Sequence, residues 1–298
     1  MLDSVEVAAL VAEVQVDTVL DSDVVEQTTG YQFFNTRMLA PNVWEVPVQH
    51  SVVQEAAEMF DAANLREAHN DMRGARNVAL RCYEGCGARF ALVQPKGWNS
   101  DVNWFSADDP PTIARFTSIF DRLGLASLFT PIVEHAHGLR MFSALFVVRS
   151  HCTATNIHDD WAPSVGTSAL TVIIPLAEYA VNGGEGFQLL YEAKADQDSN
   201  ATELRQYQYK CGKAIVFGGG FRHGTEPGRA AVPSEPHAFL CFTFGTDQMT
   251  KWHAIANKGL RDQSRLLIRP DGSLEETGLG EHIADNSLDL IRQAMAAM

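Results

Sequence analysis

The period of the apolar positions changes near Met141. Upstream of it the chain reads mostly helical. Ser51 with Gln54 three residues later has the form of a capping box, and Val53, Ala56, Ala57, Phe60 and Ala63 then share one helical face. Asp109 before Pro110 and Pro111 predicts a second helix, with Ile113, Phe116, Phe120 and Leu123 as its apolar face and Gly124 as its stop. From Met141 to Gly245 the pattern becomes one of short strands: Met141–Ser150, Thr167–Leu176, Phe187–Tyr191, Leu204–Tyr209, Lys213–Phe217 and His237–Gly245. Turn signals separate them at Asn182-Gly183-Gly184, Gly218-Gly219-Gly220 and Pro227-Gly228. Strands at this spacing, with little helix between them, predict a β-sandwich or barrel. Leu288, Ile291 and Met295 predict a last helix over Asp285–Met298. The expected organisation is a supporting helical region over 1–140, a β-core over 141–250 and a helical annex over 251–298, packed as one unit.

Charge and cysteine content narrow the setting. The chain carries 23 Lys+Arg against 37 Asp+Glu, a net charge of −14, which repels phosphate backbones, so no nucleic-acid partner is expected. Its five cysteines follow no disulfide-framework spacing, as in a reducing compartment. Cys82 and Cys86 are unaccompanied by the second Cys/His pair that a zinc site needs. Seven acids precede the first basic residue, Arg37, which is unlike a secretory signal. The longest uncharged run, Trp161 to Ala177, is too short and too rich in Ser, Thr and Pro to span a bilayer. A soluble, cytoplasmic protein without membrane association is expected.

The candidate chemistry lies in His158-Asp159-Asp160 and His223. On extended backbone, residues two apart share a face, so His158 and Asp160 point together and Asp159 points away. With His223 from a distant strand they form a 2-His-1-carboxylate face, which leaves open positions on an octahedral ion and suits non-haem Fe(II). His69-Asn70-Asp71 repeats the spacing at the end of a predicted helix, where residues two apart diverge by roughly 200°; it reads as a solvated helix end. His135-Ala136-His137 has no third ligand at a suggestive spacing and reads as a surface turn. Trp161 either lines the pocket or packs under the barrel rim, and Thr171 and Ile173 share a strand face.

Four segments in order resemble the prolyl-hydroxylase-like branch of the Fe(II)/2-oxoglutarate-dependent dioxygenases. They are Val147-Val148-Arg149 through His158-Asp159-Asp160, the strand Leu170 to Leu176, the turn Asn182 to Phe187, and Gly212 to Phe217 followed by His223-Gly224-Thr225-Glu226-Pro227. The resemblance spans about residues 141–246. It implies a double-stranded β-helix, a distorted jelly roll, flanked by N- and C-terminal helices. It also implies Fe(II) on His158, Asp160 and His223, with 2-oxoglutarate and dioxygen as cosubstrates and ascorbate as a reductant. The reaction implied is hydroxylation or desaturation of a small-molecule or peptidyl substrate.

The family anchors the far carboxylate of 2-oxoglutarate on an Arg or Lys where this sequence has His237. Arg229, a permanent bidentate cation in the turn after His223, is the first choice to replace it, ahead of Arg222. His237 itself and Arg149 are the alternatives, and Thr171 is expected to border the cosubstrate. Two other classes fit the same residues: a cupin-like metal isomerase or lyase, and a non-catalytic β-barrel binding module.

Overall fold

The computed structural model describes residues 36–72, 81–94, 99–178, 186–194, 202–232, 234–256 and 259–279. The acidic first segment, the Asn182-Gly183-Gly184 turn and the helix expected over 285–298 lie outside them.

The first half opens with strands β1 (Arg37–Ala40) and β2 (Val43–Pro47), then helices α1 (His50–Ala62) and α2 (Leu65–Met72). Strands β3 (Arg81–Gly85), β4 (Ala88–Val93) and β5 (Asn103–Ala107) follow, then α3 (Pro110–Arg122) and α4 (Leu125–Phe129). The middle holds β6 (Leu139–Arg149), β7 (His151–Cys152), β8 (Ala169–Pro175), β9 (Leu189–Lys194), β10 (Thr202–Tyr207), β11 (Lys213–Phe217), β12 (His223–Thr225), β13 (Gly228–Arg229) and β14 (His237–Thr246). After them come α5 (Met249–Ile255), α6 (Gly259–Gln263), β15 (Leu266–Ile268) and β16 (Leu274–Glu276). None of the helices among the described residues is long and apolar enough to cross a membrane.

The protein is mainly β. Nine strands form one antiparallel sheet in the order β1-β2-β11-β8-β14-β6-β5-β4-β3. The first half is therefore less helical than its pattern suggests, since five of its strands extend this sheet. Between β3 and β4 the turn residues Cys86 and Gly87 have φ of 49° and 72°, the left-handed pair that a tight hairpin requires. That places Cys82 on a strand and Cys86 in a turn.

Alternation along the central strands fills two layers. Leu170, Val172 and Ile174 of β8 and Leu240, Phe242 and Phe244 of β14 join Phe60, Phe116 and Phe120 of α1 and α3 in the main core. The opposite face turns Leu145, Val147, Phe239, Cys241 and Ile173 inward, and Ile215 and Phe217 meet Leu189, Tyr191 and Tyr207 from a second, smaller sheet of order β10-β9-β12, with Phe221 from the turn before β12. Central strands buried on both faces read as continuous apolar runs, which is why these were the most legible.

The helices match their sequence signals in part. Asp109 caps α3 by accepting from the Thr112 amide at 2.9 Å, and Gly124 takes the left-handed conformation after the helix, φ 68°. The capping box expected at Ser51 does not form. Instead, α1 begins two residues earlier, with Gln49 in place of Ser51 as its N-cap and no side-chain cap. His69, expected in a solvated helix end, is fully buried, because the α2 face that carries it packs over the end of β6. The preceding chain turns that helix onto the sheet, and Asp71 faces solvent as the angular argument requires.

Candidate metal centre

The chain leaves the large sheet after Arg149 and enters a two-stranded ribbon in which β7 pairs with β13, His151 opposite Arg229. A carboxylate fixes this crossing point. Asp101 accepts from the amides of Ser150 and His151, both at 2.9 Å, and from the Ser150 hydroxyl at 2.6 Å. His69 closes the network, with Nε2 3.2 Å from the Ser150 hydroxyl and Nδ1 2.8 Å from the Asn103 side chain. Burial would push the Asp101 carboxyl up, but His69 and the Ser150 donors outweigh it and hold the group down at about 2.

Further along the same segment, His158 and His223 form a reciprocal backbone pair: His158 N donates to His223 O at 2.8 Å, and His223 N to His158 O at 3.0 Å. Directly opposed residues of an antiparallel pair present their side chains on one face, and the two imidazole centroids are 4.7 Å apart. The pairing needs close backbone approach. A Cβ on Gly224 would lie 2.6 Å from the carbonyl oxygen of Asn156, so glycine is required beside His223.

Asp160 completes the group. Its Oδ1 lies 3.5 Å from Nε2 of His158 and 3.6 Å from Nε2 of His223. Ligand atoms of these three residues all fall within 4.8 Å of one another. Each imidazole has its Nδ1 against a carbonyl two residues upstream, Asn156 O at 2.8 Å for His158 and Phe221 O at 3.0 Å for His223. A carbonyl only accepts, so each Nδ1 carries a proton, which leaves each Nε2 as the nitrogen on the Asp160 side. Thr171 on β8 donates to the other carboxylate oxygen, Oδ2, at 3.0 Å. Asp159 is exposed and apart from this group.

The electrostatics favour an anionic Asp160 and a neutral His223. Burial would raise the Asp160 carboxyl, but His223, His158 and the Thr171 hydroxyl together keep it below the ordinary carboxylate range. Burial lowers His223 despite the neighbouring carboxylate. His158 moves the other way, because its contact with Asp160 overcomes the burial that would lower it. Two imidazole nitrogens and one carboxylate oxygen converging on one point form a donor set that fits Fe(II).

The expected cosubstrate residues are placed unequally. Arg229 is exposed on its ribbon, and Arg222 is an exposed partner of Glu192 at 3.5 Å. His237 is buried, and that burial, aided by Arg149, lowers it to about 3, so it is neutral near pH 7. Arg149 stands directly opposite His237 in the β6–β14 pairing, on the inward face. Its guanidinium donates to the Thr225 hydroxyl and lies 5.8 Å from the centroid of the Phe239 ring. Among the described residues its Nε has no hydrogen-bond partner, and burial pulls this guanidinium down from its usual range. Thr225 is two residues beyond His223 on β12, a strand displacement of roughly 6–7 Å. Tyr209, which the sequence did not single out, has its phenol pushed up by burial and pulled back by Arg149. Trp161 packs beneath the sheet with Phe142, Val165 and Trp252. His135 and His137 lie in an outer turn where Asp247 accepts from the Ala136 and His137 amides.

Compared with known sequences, the chain matches no protein-family model and no curated protein. Solved structures do resemble it. A prolyl-4-hydroxylase from Pseudomonas putida is 15% identical over 69% of this chain and 92% of that one, with a TM-score of 0.39. HygX from Streptomyces hygroscopicus, solved with nickel and 2-oxoglutarate bound, is 13% identical over 76% of this chain and 90% of its own, TM-score 0.42. An oxidoreductase of the 2OG-Fe(II) oxygenase family from Burkholderia pseudomallei is 16% identical over 69% and 85%, TM-score 0.37.

Proposed function

We propose that the two facing sheets form a double-stranded β-helix and that the protein is a non-haem Fe(II)- and 2-oxoglutarate-dependent oxygenase. The observation that carries this is the convergence of His158 Nε2, His223 Nε2 and Asp160 Oδ1 on one point. The half-buried, inward-facing Arg149 guanidinium supports the choice of cosubstrate. Among the described residues no carboxylate pairs with this partly desolvated cation, and its planar fork matches a carboxylate. Arg149 replaces Arg229 as the proposed anchor. It comes from the strand beside the one on which the family carries its cation.

Fe(II) held by His158, Asp160 and His223 would supply activation of dioxygen coupled to decarboxylation of 2-oxoglutarate to succinate. The chain's own residues prepare that chemistry. Asn156 and Phe221 fix the imidazole tautomers, Thr171 holds the carboxylate, and Arg149 with Thr225 receives the distal carboxylate of the cosubstrate. Phe217 and Phe221 pack on His223 and keep bulk water from that side. The proposed outcome is hydroxylation or desaturation of a small-molecule or peptidyl substrate, in a cytoplasmic setting suited to five free cysteines.

An anaerobic titration with Fe(II) and then 2-oxoglutarate tests this. A visible charge-transfer band should grow on addition of 2-oxoglutarate, and admitting dioxygen should release succinate. Metal binding without that band or succinate would point to isomerase or lyase chemistry. No Fe(II) binding at all would leave a binding module.

A further inference from the structure

We infer that Thr171 is a positioning residue for Asp160, holding the carboxylate so that Oδ1 alone faces the two imidazoles. This rests on the metal centre proposed above and assigns Thr171 a role other than bordering the cosubstrate. Thr171 is 3% exposed and sits on the inward face of β8, opposite Thr243 of β14. As a β-branched residue on a strand it has little χ1 freedom, so its hydroxyl is aimed by the backbone. That hydroxyl donates to Oδ2 of Asp160 at 3.0 Å, while Oδ1 is 3.5 and 3.6 Å from the imidazole nitrogens.

The need for such a restraint follows from where Asp160 lies. His158 and His223 are locked by their mutual backbone pair, whereas Asp160 sits in a bend beyond the paired position. Its backbone does not dictate which oxygen points inward, nor the plane of the group. A free carboxylate can rotate, or bind an ion through both oxygens and occupy a position that the cosubstrate needs. The Thr171 hydroxyl occupies one oxygen and thereby selects binding through the other.

The test compares the full chain with Thr171→Val, which keeps shape and removes the hydroxyl, and Thr171→Ser, which keeps the hydroxyl. Co(II) is the probe, because its visible absorption reports ligand number and geometry without turnover. Thr171→Val is expected to bind Co(II) about 10–100-fold more weakly, with an altered spectrum. Thr171→Ser is expected to restore both affinity and spectrum. Wild-type affinity and spectrum in the valine variant would overturn the inference. So would a serine variant as impaired as the valine one, since packing would then be the cause. A wild-type chain that binds no Co(II) refutes the metal centre itself, and this inference with it, which separates the two failures.

Discussion

Replacing Arg149 by methionine separates a functional cation from a structural one. Methionine follows the arginine stem about as far as Nε, so most of the apolar packing of the stem is kept while the charge and donors are removed. The structure sets two opposing effects. The side chain is half-buried, donates to the Thr225 hydroxyl, and leaves a solvent-shielded Nε without a hydrogen-bond partner among the described residues. Removing such a group relieves desolvation worth about 1–4 kcal/mol while losing one hydrogen bond worth about 1 kcal/mol. The unliganded variant should therefore be as stable as wild type or more so, by up to a few degrees in thermal unfolding. If Arg149 anchors the distal carboxylate, the same variant loses a charge-assisted contact of roughly 1.5–3 kcal/mol, and the apparent KM for 2-oxoglutarate rises about 10- to 100-fold. Calorimetry of the unliganded chain and succinate release across a 2-oxoglutarate series read the two effects independently. A destabilised variant with unchanged 2-oxoglutarate dependence would refute the reasoning, because Arg149 would then be a structural group.

The other expectations concern separate parts of the site. Asp160→Ala should lose Fe(II) or bind it far more weakly, whereas the exposed Asp159→Ala should retain it; equal losses by equilibrium titration would show that the carboxylate is misassigned. Gly224→Ala forces a methyl to within 2.6 Å of the Asn156 carbonyl, so the His158–His223 pair should part, and weaker metal binding should be measured with a chain that still unfolds cooperatively. Asp101 is held at about 2 against an ordinary 3.8, so its contribution is present above about pH 4 and is lost as pH falls toward 2. Urea unfolding should show wild type about 2 kcal/mol more stable than Asp101→Asn at pH 6, a gap that narrows below pH 4; a constant gap would mean that the carboxylate charge is immaterial.

What the sequence disclosed depended on how local the cause was. The His-x-Asp spacing of His158 and Asp160 was legible as a local sequence pattern, although the backbone bends at Asp160, and the apolar runs of β8 and β14 because both faces of each strand are buried. Strands β3 to β5 were not, since they are short, carry Arg81 and Arg89, and gain their place only by pairing with β6 through β5. His69 looked solvated because its partners Ser150 and Asn103 are 81 and 34 residues away. The proposal of Arg149 in place of Arg229 draws on a signal present in the sequence. Leu145, Val147 and Arg149 alternate on one face of an apolar strand, which turns the guanidinium toward the interior. Tyr209 offered no such pattern, because it lies just past the end of β10.

The reciprocal hydrogen bonds between His158 and His223 also provide an intrinsic occupancy gauge. Both amide protons are sealed by the pairing that brings the imidazoles together, so neither can exchange with deuterium until the two ring nitrogens separate. An ion bridging those nitrogens must be released before the pair opens. At an ion concentration a hundredfold above its dissociation constant, opening becomes harder by about 2.7 kcal/mol, and exchange of these two protons should slow by about a hundredfold. Peptides spanning 158 and 223 would register filling of the site through the backbone alone, for ions with no colour and no turnover.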